Sequence, residues 1–131
     1  MKIMVEYLLV SSSFPTQEVY EAIGLNGIQK QEEEITIPTM CGKNYIREKS
    51  SSITYSTGYI ETLDVRIPLE KLYNLLLDRE EQIIKYINKY NIQSRFCIII
   101  NLTDNPIIQI PHKFMELACR LQADIEVDSY I

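Results

Sequence analysis

The residue types that most often perform catalysis or bind metals are few in this chain and widely separated. His112 is the only histidine, and the three cysteines are Cys41, Cys97 and Cys119. His112 and Cys119 share one predicted helix, where a separation of about two turns is too long for a hydrogen bond. The chain contains no CxxC pair and no GxSxG, GxGxxG, HExxH or Walker pattern. We therefore expect no metal site, no cofactor and no catalytic residues.

Carboxylates are the remaining groups with chemical potential, and one set of them lies on a predicted strand. Residues 123–130 alternate strictly, so that Asp124, Glu126, Asp128 and Tyr130 share one side. Adjacent carboxylates on that side would lie ~7 Å apart, which converges poorly on a hard cation such as magnesium. The remaining interpretations are a solvated face of a closing strand and a set of charges that contact a partner.

A second acidic set consists of Glu32, Glu33 and Glu34, within a predicted strand over 30–37. Carboxylates at an interface raise the association rate with a basic partner by electrostatic steering. We expect both acidic sets to contact such a partner.

Nine tyrosines and no tryptophan suggest that tyrosine serves both the core and a binding surface. Tyr55 and Tyr59 lie on the same side of a predicted strand over 53–60. Together with Tyr73 they could line a ligand pocket between the sheet and a long helix. The alternative is that the aromatic row covers the core.

The long helix is the element around which the other predicted elements are arranged. Its predicted span is Pro68–Tyr90, since Pro68 suits a first helical turn and apolar residues recur at helical spacing up to Tyr90. Residues 78–81 are polar and interrupt that spacing at Arg79 and Glu80. Either these two residues contact a partner, or the helix kinks or leaves the sheet there.

The remaining segments predict an α+β fold: a mostly antiparallel sheet of about five or six strands with three helices, in the order βαββαββαβ. The long helix is expected to pack across the sheet, and the helices to share one of its faces. The other predicted strands are 2–10, 95–102 and 107–110, and the other helices begin at Pro15 and Pro111.

Composition limits the possible classes of protein. A chain of 131 residues suggests a single domain over 1–131. A formal net charge of −5 argues against a nucleic-acid binder and against an anionic-membrane binder. Unpaired cysteines favour a reducing compartment, and no apolar run is long enough for a membrane span. The sequence therefore predicts a cytoplasmic protein.

The chain resembles the bacterial domain-of-unknown-function family 4279 over nearly its whole length. The residues behind this resemblance are Leu117-Ala118, Leu121, Ala123 to Ile125, Asp128 and Tyr130 near the end, Leu72 to Leu77 in the middle, and Ile23 to Leu25 and Pro38-Thr39 near the start. Tyr55 stands where members often have tryptophan. The resemblance implies the fold and a bacterial origin, since the family has no established activity.

The expected function is that of a non-enzymatic protein-binding module, with an immunity protein that neutralises a toxin as one example. The acidic balance, the missing catalytic motifs and the tyrosine content favour this interpretation, and the immunity role rests on analogy with other small bacterial domains. The alternative is a small-ligand-binding domain with the tyrosine-lined pocket described above.

Overall fold

The structure is a computed structural model that describes all of residues 1–131, and it has four helices and eight strands. The strands are β1 (Lys2–Ser11), β2 (Ile28–Glu32), β3 (Ile35–Pro38), β4 (Asn44–Arg47), β5 (Ser50–Ser56), β6 (Ile60–Glu61), β7 (Gln93–Asn101) and β8 (Ala123–Tyr130). The helices are α1 (Thr16–Ile23), α2 (Arg66–Leu77), α3 (Glu80–Tyr90) and α4 (His112–Arg120). The predicted α+β class is confirmed, whereas the prediction of three helices is wrong.

Six strands form one sheet in the order β2-β5-β1-β7-β8, with β6 also paired to β1. All pairs in this sheet are antiparallel except β7 and β8, which run parallel. The mostly antiparallel sheet is therefore confirmed. Strands β3 and β4 form a separate hairpin.

The predicted order of elements along the chain is not confirmed: β4 and β6 were not predicted as separate strands, and two of the predicted strands are wrong. The predicted strand over 30–37 is divided at Glu33 and Glu34, and its second half pairs with β4 instead of the main sheet. The predicted strand over 107–110 forms only a single parallel bridge, between Ile107 and Asp64. Both errors concern short segments, whose partners are set by long-range packing more than by local pattern.

The predicted long helix Pro68–Tyr90 is in fact two helices, α2 and α3. The Arg79 amide donates to the Leu76 carbonyl at 2.9 Å, so the regular four-residue spacing of helical hydrogen bonds lapses at this point. Glu80 pairs with Arg120 of α4. Of the two interpretations of the polar interruption, a helix end is the one observed, and Glu80 forms a contact within the protein.

The core lies between one face of the sheet and the helices. Strand β1 alternates buried and half-buried residues along its length, and β7 does the same. The buried members of β1 join residues from all four helices in one cluster: Ile3, Val5, Tyr7 and Leu9 from the strand, with Val19, Leu72, Ile83 and Leu117 among those from the helices. The prediction that the helices share one face of the sheet describes this arrangement.

Gly27 marks the closest approach between the chain after α1 and the sheet. A Cβ at this position would lie 2.7 Å from the Thr54 carbonyl oxygen and 2.8 Å from the ring of Tyr55. Tyr55 is only 2% exposed, so its ring has little room to move away. A side chain at position 27 would therefore force the backbone apart.

We predict that Gly27→Ala lowers the free energy of unfolding by ~1–3 kcal/mol, the usual effect of overpacking. Chemical denaturation would measure the loss, with Asn26→Ala at the exposed neighbouring position as the matched control. Equal stability of the two variants would contradict the close packing of Gly27 against β5.

Two buried tyrosines face the core with hydroxyls that have no hydrogen-bond partner. They are Tyr7 and Tyr55, which are paired across β1 and β5. Burial raises the pKa of both hydroxyls above the ordinary value, chiefly because the charged form would lose its hydration. Both groups therefore stay neutral in the folded state at a pH where they ionise in the unfolded chain.

We predict a loss of stability at alkaline pH that depends on these two residues. Above about pH 10 the unfolded state binds fewer protons than the folded state, so the free energy of unfolding falls as pH rises, by up to ~1.4 kcal/mol per pH unit for each tyrosine. Urea denaturation at several pH values should show a shallower decline for Tyr7→Phe than for the wild type.

The same variant should keep its stability at neutral pH, because the hydroxyl removed has no partner. Parallel pH curves for the wild type and Tyr7→Phe would contradict the assignment of the alkaline loss to this residue.

Candidate functional site: the open face of the sheet

The face of the sheet opposite the helices is covered by no other element, and we call it the open face. Half-buried aliphatic side chains lie on it, namely Met4, Leu8 and Val10 from β1 and Ile99 from β7, with Glu6 between Met4 and Leu8. Carboxylates border it on β8, since the pairing of Cys97 with Glu126 and of Ile99 with Asp128 places those residues on the same side. Exposed apolar surface with a polar border is typical of protein interaction sites.

A trough lies in the middle of the open face, where a small residue stands between two longer ones. Cys97 on β7 is paired with Glu6 on β1 and with Glu126 on β8. The resulting cavity has a volume of about 260 Å³ and is lined by Glu6, Leu8, Thr54, Arg95, Cys97 and Glu126. It is large enough for one side chain of a partner rather than for a separate folded element.

Two tyrosines meet across the open face beside the trough, and we call this pair the tyrosine bridge. The hydroxyls of Tyr59 and Tyr130 are 2.7 Å apart. Tyr130 belongs to β8 and Tyr59 immediately precedes β6, so the two side chains span the intervening strands β1 and β7. The hydrogen bond with Tyr130 is the largest of the effects that raise the pKa of Tyr59.

A bulge explains why Tyr59 reaches the open face. Between the paired positions Glu6–Ser56 and Ile3–Ile60, β1 has two residues and the other strand has three. The additional residue reverses the alternation of sides, and Gly58 adopts a left-handed φ of 69° there. Tyr55 therefore faces the core, whereas Tyr59 lies on the opposite face.

The carboxylates of the open face are only partly neutralised. Arg95 lies 3.6 Å from Glu126. Glu6, Asp124 and Asp128 form no ion pair. The pKa of the Cys97 thiol is raised, first by burial and then by the negative charges of Glu126, Glu6 and Asp128. The trough is lined by two carboxylates and one guanidinium group, and this excess of one negative charge favours cations.

The two predicted acidic sets lie at opposite edges of the sheet. Asp124, Glu126 and Asp128 are exposed on β8, whereas Glu32 ends β2 and is 3.6 Å from Arg47. Glu33 and Glu34 are exposed between β2 and β3. Strands β5, β1 and β7 separate the two sets, so the fold does not gather them into one cluster.

The three tyrosines predicted to line a pocket are also separated. A pocket of about 340 Å³ does lie between the sheet and α2, and Tyr55 lines it together with Gly24, Leu25, Asn26, Ser56, Leu72 and Leu75. Tyr59 is in the tyrosine bridge on the other face. Tyr73 packs against the ammonium group of Lys113, which lies 4.8 Å from its ring centre.

The sequence interpretation did not identify Glu6, Arg95 and Cys97 as residues of the site. The alternation of β1 was clear, and it places Glu6 on the side opposite Ile3, Val5 and Tyr7. A charged residue within a central strand was therefore the available indication. The neighbours of Glu6 depend on the strand order, which no local pattern contains.

No group of three or more His, Cys, Asp or Glu side chains is placed to hold a metal ion. His112 is exposed on α4, with its Nε2 atom 2.7 Å from Glu116. The cysteines are all free, with Cys41 and Cys119 exposed and Cys97 half-buried. None of the four helices is both long enough and apolar enough to cross a membrane.

The fold is that of an α+β domain with one sheet face packed against helices and the other face open. The family model described as "Domain of unknown function (DUF4279)" matches residues 1–131, the whole chain. The protein belongs to this family, as the resemblance indicated. No curated protein and no solved structure matches the chain.

We predict that the alkylation rates of the cysteine thiols differ, because burial and the charges around the trough raise the pKa of Cys97. Thr39 and the Lys43 backbone lower the pKa of Cys41, whereas the pKa of Cys97 is raised. Because the thiolate is the reactive form, iodoacetamide should modify Cys41 faster than Cys97. Variants with one remaining cysteine, followed by mass spectrometry, would separate the rates.

In the chain with only Cys97, Glu126→Gln should increase the alkylation rate by lowering the pKa of the thiol. Glu116→Gln on α4 removes an equal charge far from the trough and should have no effect. Equal rates in both variants would contradict a direct influence of Glu126 on Cys97.

Proposed function

We propose that this protein is a non-enzymatic binding module whose open face docks a basic protein partner. The supporting observation is the uncovered face itself, where half-buried aliphatic residues of β1 and β7 lie beside the carboxylates Asp124 and Asp128, which have no ion pair. An apolar centre provides the free energy of association, and surrounding charges provide specificity and association rate.

The kind of partner follows from the charges. The formal net charge is −5, and β8 adds a row of carboxylates at one edge of the open face. A partner surface with apolar residues next to lysine or arginine would complement it. A toxin domain that this protein neutralises in the bacterial cytoplasm is one partner of this kind, and three free thiols suit a reducing compartment.

The small-ligand alternative has less support. Of the three tyrosines expected to line a pocket between sheet and helix, only Tyr55 does so. Its hydroxyl is closed off from solvent and faces no partner. The polar side chains that line the pocket are those of Asn26 and Ser56, and no charged residue is among its lining.

We predict that reversing the charges of β8 removes partner binding. Tagged wild-type protein would be cross-linked in its native host and compared with the triple variant Asp124→Lys, Glu126→Lys, Asp128→Lys. The control is the triple variant Glu21→Lys, Glu81→Lys, Glu116→Lys, which changes the net charge equally on exposed positions of α1, α3 and α4.

The expected result is one stoichiometric basic protein that the wild type and the control retain and the β8 variant loses. With the purified pair, the β8 variant should bind at least ~10-fold more weakly, mainly through a slower association that salt also reduces. A partner that the β8 variant retains would contradict the assigned face. Absence of any stoichiometric partner would contradict the binding-module proposal.

A further inference from the structure

We propose that the trough beside the tyrosine bridge binds the guanidinium group of an arginine side chain that the partner inserts into the open face. This inference rests on the proposed function, and it names the chemical group that the site recognises.

The shape of the trough suits a long side chain with a polar end. Leu8, Thr54 and Cys97 contribute apolar or weakly polar surface, and Glu6 and Glu126 stand on either side of Cys97. Arginine has an aliphatic stem that packs along such surface while its charged end reaches polar groups. The volume of about 260 Å³ suits a single inserted side chain.

Three carboxylates of the open face have no ion pair: Glu6, which lines the trough, Asp128, which lies next along β8 from Glu126 on the same side, and Asp124. Arg95 is paired with Glu126. Glu6 and Asp128 both raise the pKa of Cys97 and of Tyr59, so their charges act on both the trough and the tyrosine bridge. A cation bound between Glu6 and Asp128 would neutralise part of their negative charge.

The aromatic border distinguishes a guanidinium group from an ammonium group. Tyr59 and Tyr130 do not line the trough itself, but Tyr59 lies close enough to Glu6 and Asp128 for their charges to raise its pKa. The two tyrosines are 46% and 43% exposed, so their rings are available for stacking with a side chain that crosses the open face. A planar guanidinium stacks on aromatic rings and donates two parallel hydrogen bonds to a carboxylate, whereas an ammonium group is a compact, strongly hydrated point charge. Carboxylates combined with exposed tyrosine rings therefore favour arginine.

The first experiment uses a small probe and needs no knowledge of the partner. N-acetyl-arginine methylamide is titrated into ¹⁵N-labelled protein and followed by NMR, with the citrulline analogue as an uncharged control of the same shape. We expect saturable shifts at residues 6, 97, 128 and 130 for the arginine probe alone. The lysine analogue should bind at least ~10-fold more weakly, because its ammonium group cannot stack on a tyrosine ring or donate two parallel hydrogen bonds to one carboxylate.

Variants then test whether Glu6 and Asp128 bind the arginine probe. Glu6→Gln combined with Asp128→Asn should weaken binding of the arginine probe at least ~10-fold, as the loss of two charge-assisted hydrogen bonds implies. Glu21→Gln combined with Glu81→Gln, an equal change of charge on α1 and α3, should not. The amide spectra of both variants would verify that the fold is unchanged.

Several results would overturn the inference: no localised shifts with the arginine probe, equal shifts with citrulline, equally tight binding of the lysine analogue, or no effect of Glu6→Gln with Asp128→Asn. These failures differ from a failure of the proposed function. A partner that is lost by the β8 charge-reversed variant but binds Glu6→Gln, Asp128→Asn with unchanged affinity would support the open face as the interface and exclude arginine insertion.

Discussion

The alternation of side chains along β1 is the constraint on which both faces of the sheet depend. This strand lies in the middle of the sheet and pairs with β7 over nine positions and with β5 over six. Its side chains Ile3, Val5, Tyr7 and Leu9 are fully buried under the helices. Because the period of a strand is two residues, Glu6 must then point to the other face. A carboxylate at the centre of the open face is therefore a geometric consequence of the packing of the core.

The parallel pairing of β8 with β7 completes the open face. Ala123 and Ile125 are half-buried on the helix side, which fixes the register of the strand. A shift by one residue would move Asp124 and Glu126 toward the core, at a large desolvation cost. The register instead places Glu126 beside Cys97 and within reach of Arg95. The position of Glu126 beside the trough thus follows from the partial burial of Ala123 and Ile125 on the opposite side of the same strand.

Much of the sheet was predictable from the sequence because its strands have distinct periodic patterns. Strands β1, β7 and β8 were each predicted close to their observed positions, and the apolar run of β7 indicated a central place.

The division of the long helix was not predictable from periodicity. Leu76 and Ile83 are seven residues apart and lie on the same side of an ideal helix, so the apolar pattern continues across the break and hides it. The separate hairpin of β3 and β4 was missed because its residues are almost all exposed, so that no buried face determines a pattern.

The candidate site was harder to predict, and Tyr59 shows why. Strict alternation from Ile53 predicts Tyr55 and Tyr59 on one face, and a pocket lined by both follows from that assumption. One additional residue between Ser56 and Ile60 breaks the alternation. Two hydrogen bonds stabilise this bulge: the Thr57 amide donates to the Val5 carbonyl, and the Thr57 hydroxyl accepts from the Val5 amide. The same bulge that separates Tyr59 from Tyr55 brings it to Tyr130, 71 residues away in the chain. A contact of this kind depends on strand order and on one extra residue, and neither is contained in the local pattern of hydrophobic and polar residues. The sequence therefore specifies which residues are available to the open face, whereas the bulge and the strand order determine which of them meet.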